Sequence, residues 1–258
     1  MISIDLVTIT FNSESYLRRC FESVKRVRHY FKNYIVIDGG STDNTLKIIE
    51  EFSDIITIST SGRDRGISDA FNKGIARCSS EFILLLNSDD WIIDEHIMHV
   101  IESISASDEV VCTNMLSYSG DIFMGEYKSD PYLIPNFNSM LHPGCIVAAS
   151  VYNKVGLYDI ALKVGMDYDF FCRCFYSGIK FRMIDLPLVA FHEGGTSRVR
   201  KYKILRESFG LRRKYHGAWF PSHEVKQLIS RAFGDALDIV GLKSYVNKVL
   251  MNYGFKKK

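Results

Sequence analysis

Over the first 114 residues, apolar runs of strand length alternate with longer stretches whose apolar positions recur at helical spacing. Residues 3–10 (SIDLVTIT) read as a buried strand, and 13–27 as a helix with Leu17, Phe21 and Val24 on one face. Residues 34–38 (YIVID) form a second predicted strand. A helix follows from about Thr42, with Leu46, Ile49 and Phe52 inward. The pattern then predicts a strand over 55–59, a helix over 68–77, a strand over 82–87 (FILLLN), a helix over 94–104 and a strand over 110–114. Strands separated by helices predict an α/β fold with a mostly parallel sheet covered on both faces. Beyond residue 115 the pattern changes to short strands and turns, with a helix near 167–177. After Gly195 it is mainly helical.

Ligands of such sheets lie beyond the carboxyl ends of the strands, where three polar clusters stand. Asp38-Gly39-Gly40-Ser41-Thr42-Asp43 combines a strand-end carboxylate with glycines that let backbone approach a ligand; a plain turn with Ser41 or Thr42 capping a helix uses the same residues. Asn87-Ser88-Asp89-Asp90 offers oxygen ligands of the kind Mg²⁺ takes alongside substrate phosphates, or a solvated turn. Met166-Asp167-Tyr168-Asp169 opens a helix, where a carboxylate is favoured as the anion and suits a general base. Asp169 is also placed for an i,i+4 pair with Arg173, which leaves Asp167 as the better candidate base. No G-x-G-x-x-G or G-x-x-x-x-G-K-[ST] follows any strand, which argues against dinucleotide oxidoreductases and P-loop enzymes.

The 258 residues are 47% hydrophobic and 24% charged, a soluble globular composition that excludes disordered and fibrous classes. Six cysteines without a C-x-x-C pair, and an N-terminus lacking a basic n-region, predict a reduced cytosolic chain. The longest segment free of Lys, Arg, Asp and Glu, residues 131–153, carries three prolines and cannot form a spanning helix. The net charge of +2 conceals an asymmetry: from Arg198 onward 15 Lys/Arg face 4 Asp/Glu, while residues 1–197 are net acidic. An acidic body suits a bound cation, and a basic tail suits an anionic surface.

Taken together, order and spacing resemble inverting family 2 glycosyltransferases of the GT-A fold over roughly residues 1–200. Thr8-Ile9-Thr10-Phe11-Asn12 resembles the family's opening strand, and Ile37-Asp38-Gly39-Gly40-Ser41-Thr42-Asp43 its nucleotide-binding turn. Asp64-Arg65-Gly66-Ile67-Ser68-Asp69-Ala70-Phe71-Asn72-Lys73-Gly74 is similar to a motif of bacterial members that build surface polysaccharides. Asn87-Ser88-Asp89 occupies the D-x-D position, Met166-Asp167 the E-D position, and residues 191–197 the closing G-G-x-S segment. The first residue of each acidic motif departs from the pattern, as Asn87 and Met166.

The resemblance implies a Rossmann-like GT-A domain over 1–197, with a donor half (1–114) and an acceptor half (115–197), and a helical basic extension over 198–258. It implies a nucleotide-diphosphate sugar, with UDP as nucleotide, held by Thr8, Thr10, Phe11, Asn12, Asp38, Gly40, Ser41, Arg65, Asp69, Asn87 and Ser88. Asp89, with His192 as a further ligand, would bind Mn²⁺ or Mg²⁺; a hydrogen-bonded histidine beside a glycine turn is the other reading of His192. Arg198 and Arg200 would clamp phosphate, and Asp167 would be the catalytic base acting on a hydroxyl of a glycan or lipid-linked oligosaccharide acceptor. The tail's mix of basic and aromatic residues, Tyr202 to Phe220 and Tyr253 to Lys258, suits peripheral docking on the inner face of the plasma membrane or, equally, an ordinary helical cap with a solvated basic face. Nucleic acid is not an expected partner, since the body is acidic and no binding motif is present. A nucleotide-sugar-binding subunit without turnover and a sugar nucleotidyltransferase stand as alternatives.

Overall fold

The computed structural model describes residues 2–193 and 201–217. Its strands are β1 (Ile4–Thr10), β2 (Asn33–Asp38), β3 (Ile58–Ser61), β4 (Phe82–Asn87), β5 (Trp91–Ile92), β6 (Val110–Ser119), β7 (Ile122–Tyr127), β8 (Cys145–Ala148) and β9 (Phe181–His192). Its helices are α1 (Leu17–Val27), α2 (Thr45–Glu51), α3 (Ile67–Ile75), α4 (Asp94–Ser103), α5 (Ala149–Val155), α6 (Met166–Tyr176) and α7 (Lys201–His216). The strands form one sheet in the order β3-β2-β1-β4-β8-β6-β9-β5, with β7 paired to β6. The first four are mutually parallel, β8 runs against both its neighbours, and β6 and β9 are parallel again. This is the mostly parallel α/β sheet that the alternating pattern predicts.

β1 is buried along its whole length, as an apolar run covered on both faces requires. α1 packs Leu17, Cys20, Phe21, Val24 and Val27 inward at helical spacing. It starts later than expected because Ser13 is engaged elsewhere: its N–H donates to Thr45 and its hydroxyl bonds Ser88. The Thr45 contact also corrects the inward face of α2. Thr45, Ile48 and Ile49 are buried, whereas Leu46 is 43% exposed. The third strand is likewise displaced to Ile58–Ser61, because Ile55 closes the turn after α2 with its N–H on the Phe52 carbonyl.

In the second half, the pattern hides more than it reveals. β6 runs on to Ser119, and β9 is twelve residues long where only short strands were expected. Asp185 and Pro187 interrupt β9's apolar pattern, and the ladder to β6 shifts register beside Pro187, where a residue without an N–H is tolerated. Among the described residues, no helix is long and apolar enough to cross a membrane. Residues 194–200 and 218–258 lie outside the described residues, and with them Arg198, Arg200, the G-G-x-S segment and most of the basic tail.

At the root of the parallel strands lies the fully buried Asp5. Its carboxylate accepts from Asn33 N (3.1 Å) and Nδ2 (2.8 Å), Ser79 N (2.6 Å), and Ser80 N (3.0 Å) and Oγ (2.6 Å). Burial alone would raise its pKa, but these hydrogen bonds outweigh it and hold the carboxyl below the ordinary carboxylate value. Asp5→Asn should therefore lose about 2–3 kcal/mol of stability at neutral pH, through buried donors left unpaired. Because the folded pKa is depressed, the wild-type advantage is complete above the ordinary carboxyl value and disappears as pH falls through the folded one. Urea denaturation of both proteins at pH 7 and in acid measures this, and a difference that does not change with pH would contradict it.

Candidate active site

The carboxyl ends of β1 and β4, the loop before α3 and the start of α6 enclose a cavity of about 430 Å³. Thr10, Phe11, Asn12, Asn87, Ser88, Asp89 and Asp167 all line it, so the structure brings together seven of the residues singled out in the sequence. Phe11 is 59% exposed, an aromatic face left open at a strand end. The Thr10 hydroxyl is buried with no hydrogen-bond partner among the described residues.

Other expected contacts do not line the cavity but build its walls. Thr8 lies in the core, where its hydroxyl accepts from Tyr34 at 3.0 Å. The Asp38 carboxylate turns back on its own loop, accepting from Gly40 N and Ser41 N (both 3.0 Å) and from the hydroxyls of Ser41 and Ser61. That turn is fastened to β1 through Asn12, which holds a left-handed φ of 48°, donates its N–H to Ser41 Oγ and accepts from Thr42 N. Asp69 is mostly buried, accepts from Arg65 N and pairs with Arg65 and Lys73, each at 3.2 Å. It braces the 64–66 loop, and the Arg65 side chain is largely exposed.

The acids after β4 divide their roles. Asp90 is fully buried, accepting from Asn87 Nδ2 (3.0 Å) and from the His192 backbone N–H (3.1 Å). Burial and the neighbouring Asp89 charge push its pKa far up. This gives Asn87 a reason to depart from the acidic pattern: an amide there donates to Asp90, where a carboxylate would repel it. Asp89 alone of the pair lines the cavity. Burial raises its pKa, a cost partly offset by His192 close by. His192 packs its ring on Tyr16, with centroids 4.9 Å apart.

Asp167 is partly buried in the first turn of α6, where its carboxylate accepts from Asn138 Nδ2 at 3.0 Å and from Tyr168 N at 2.7 Å. Burial raises its pKa, and these two hydrogen bonds oppose the rise. Asp169 behaves differently. Burial is outweighed by Lys214 (2.8 Å), Tyr215 (2.7 Å) and Arg173 (2.9 Å), which hold it ionised below the ordinary value. The i,i+4 pair with Arg173 is therefore present, and two further partners come from α7.

Sequence reading missed several cavity residues, among them Asp64, Tyr16, His142 and Lys163. Asp64 sits inside the quoted 64–74 motif, and its carboxylate lies so close to Gly39 that a Cβ there would meet Oδ2 at 2.4 Å. That close approach is a use for Gly39 which its place after a strand only hints at. Tyr16, His142 and Lys163 carry no local signal, since only the tertiary fold delivers them. His142 is buried, bonded through Nε2 to Tyr158 at 2.9 Å, and burial lowers its pKa to about 4, so it is neutral.

As candidate metal ligands, Asp89 and His192 supply one oxygen and one nitrogen. Among the described residues no group of three His, Cys, Asp or Glu gathers, and Asp90 is turned away. That donor set fits a divalent cation which completes its shell with diphosphate oxygens and solvent, and such a cation would relieve the part of Asp89's burial cost that its surroundings leave.

The open, mostly parallel α/β sheet, with its cavity beyond the carboxyl ends of the central strands, has the GT-A architecture, and ligands of such sheets lie at that end. The sequence profile described as Glycosyl transferase family 2 matches residues 5–163, and the chain belongs to this family of glycosyltransferases. A PGL/p-HBAD biosynthesis glycosyltransferase of Mycobacterium bovis is 24% identical over 202 residues, covering 74% of this chain and 77% of that protein. Glycosyltransferase GlyA of Streptococcus pneumoniae is 28% identical over 130 residues, 49% of this chain and 17% of that protein. Among solved structures, S. aureus TarS 1–349 in complex with UDP-GlcNAc superposes with a TM-score of 0.67 at 18% identity, covering 83% of this chain and 68% of that one. The mannosyltransferase PcManGT of Pyrobaculum calidifontis, in complex with GDP-Man and Mn²⁺, gives 0.59 at 11% identity, covering 77% and 60%. This chain spans 37% of the longer TarS structure.

Beyond the span matched by the family, α7 holds the start of α6. Glu207 accepts from Lys163 N (3.0 Å), Val164 N (2.9 Å) and Gly165 N (2.9 Å), and Leu211 packs so tightly that a Cβ at Gly165 would meet it at 2.9 Å. Removing this cap by Glu207→Ala should lower stability by about 1–2 kcal/mol. Glu207→Gln, which keeps an accepting oxygen, should retain most of it. Chemical denaturation separates the two, and equal losses would mean that the cap is not what the carboxylate provides.

Proposed function

We propose that this protein is an inverting, metal-dependent glycosyltransferase that moves a sugar from a UDP-sugar to a hydroxyl of a glycan or lipid-linked acceptor in bacterial surface-polysaccharide synthesis. The observation carrying this reading is that Asp89 and Asp167 line one cavity with the open Phe11 ring, while every other acid of their motifs is consumed by internal hydrogen bonds. Membership of family 2, mycobacterial relatives that are PGL/p-HBAD biosynthesis glycosyltransferases, and a structural neighbour in complex with UDP-GlcNAc support donor class and chemistry.

Phe11 and Thr10 would meet the base and ribose, with Asn12, Asp38, Gly40 and Ser41 shaping the turn behind them. Arg65 and Asp69 set the neighbouring loop, and Arg198 and Arg200 are the proposed phosphate clamps. Asp89 and His192 would hold Mn²⁺ or Mg²⁺, which when bound neutralises charge on the diphosphate. Asp167 takes the proton of the acceptor hydroxyl as that oxygen bonds to the anomeric carbon. The bond from that carbon to the diphosphate oxygen breaks on the opposite face, so the anomeric centre inverts in one displacement. The raised pKa of Asp167 makes it a stronger base than a free carboxylate. The excess of basic residues after 198 supports peripheral contact with an anionic membrane.

Thermal unfolding with UDP, GDP, CDP and dTDP, each with and without Mn²⁺, tests the donor site. A ligand at 100 times its Kd stabilises by about 2.7 kcal/mol. UDP should raise the midpoint by a few degrees only with Mn²⁺, and Asp89→Asn should remove the metal's contribution. No shift with any nucleotide would overturn the reading.

For the chemistry, Asp167→Asn should lower UDP release from its UDP-sugar by about 10²–10⁴-fold, with the UDP-induced thermal shift retained. Since ionised Asp167 is the active form, wild-type activity should fall as pH drops through its raised pKa. An Asp167→Asn protein with wild-type turnover would rule Asp167 out as base.

A further inference from the structure

Asn138 lies in the segment after β7 that leads towards β8, far in sequence from Asp167. This segment is tightly fixed. Asp130 caps Tyr132 N at 2.9 Å, Ser139 Oγ donates to the Asp130 carbonyl at 2.6 Å, and Leu141 N donates to Ser129 Oγ at 2.9 Å. It is also tied to the α6 first turn, where the Tyr168 hydroxyl donates to the Ile134 carbonyl at 2.9 Å. On this frame Asn138 directs its Nδ2 at Asp167 Oδ2, 3.0 Å away, while its own Oδ1 is buried with no hydrogen-bond partner among the described residues.

An amide that leaves its carbonyl unpaired to place its donor end on a carboxylate is oriented by that carboxylate's charge. The reverse orientation would set carbonyl against carboxylate oxygen. Buried orphan acceptors are uncommon, and those that persist call for an explanation of this kind. We propose that Asn138 is the positioning residue of the catalytic base, fixing the Asp167 carboxylate and favouring its anion from the acceptor half of the fold.

This inference rests on the reading of Asp167 as base. The groups facing Asp167 are few. Asp64, Asp89, Lys163 and neutral His142 share the cavity, and Cys145 and Tyr158 lie buried nearby. On α6 itself, Asp169 is neutralised by Arg173 and Lys214, Tyr168 directs its hydroxyl to the Ile134 carbonyl, and Cys172 stands nearby. Lys163 directs its ammonium to the Arg65 and Ile160 carbonyls. Asn138 is thus the side chain that hydrogen-bonds the base among the described residues.

The test is an NMR titration of side-chain carboxyl carbons in the ligand-free protein, with the Asp167 resonance assigned by its loss in Asp167→Asn. It is paired with the pH profile of UDP release from UDP-GlcNAc in the presence of Mn²⁺. In Asn138→Ala the Asp167 midpoint should rise by about one pH unit. The acidic limb of the profile should move with it, and UDP release at neutral pH should fall about tenfold or more. Asn138→Ser, which keeps a donor, should lie between, and the UDP-induced thermal shift should be unchanged in both. Asn138→Asp keeps the side-chain shape and places a second carboxyl beside the base. It should raise the midpoint further, and it serves as the reading should the alanine variant not fold. An unchanged Asp167 midpoint and acidic limb in these variants, with Asp167→Asn inactive, would overturn the positioning role and leave the base in place. Wild-type UDP release from Asp167→Asn would instead overturn the base and this inference with it.

Discussion

Asp5 sits buried beneath the sheet, and its two oxygens gather the first residue of β2 and the turn that enters β4 around the root of β1. What is fixed at that end is delivered at the other. With Asp5 opposite Asn33, the ladder places Thr10 opposite Asp38, and on the other side Ile9 opposite Asn87. The ends of β1 and β4, which line the cavity, and the end of β2 behind them are therefore level because their beginnings share one carboxylate. A slip of one residue in either ladder would turn every side chain to the opposite face and dismantle both core and site. A buried anion is expensive unless every lone pair is used, and here five donors from two neighbouring segments use them.

At the opposite end, acids are sorted by whether the chain supplies donors. Asp38, Asp69, Asp90 and Asp169 each receive hydrogen bonds or cations from their own surroundings and are consumed in holding loops. Asp89 and Asp167 instead line the cavity, and burial raises their pKa values as it raises that of Asp90 behind them. The cavity is thus shaped as much by satisfying the neighbouring carboxylates as by placing Asp89 and Asp167. Asn87 illustrates the point: the residue that departs from the acidic pattern is the one that satisfies Asp90.

The first half of the fold was legible because each of its elements carries its own signal. Residues 82–87 form β4 with the expected ends, since an apolar run between turn residues can only be a buried strand in this context. Errors arose where a distant partner overrode local pattern, as when Thr45 turned towards Ser13 and left Leu46 exposed. β9 was illegible because its length depends on pairing with β6 around Pro187, which periodicity does not encode. For the site, the motif residues marked the cavity, but strand-end position did not tell ligand-facing groups from supporting ones. Thr8 and Thr10 share a strand face, yet Tyr34 reaches the first and leaves the second open.

The charge asymmetry reads differently once α7 is placed. In sequence, the basic stretch after Arg198 looks like a separate unit available to an anionic surface. In the fold, Lys214 is spent on Asp169, Arg212 donates to the Asn136 carbonyl, and the acidic Glu207 caps the start of α6. The first part of the extension thus grips both flanks of Asp167 and the segment carrying Asn138. Its positive charge is partly an internal counterweight to acids in the second half of the fold, such as Asp169. The proposed base role of Asp167 would require its helix start and its facing loop to be fixed together, and α7 touches both.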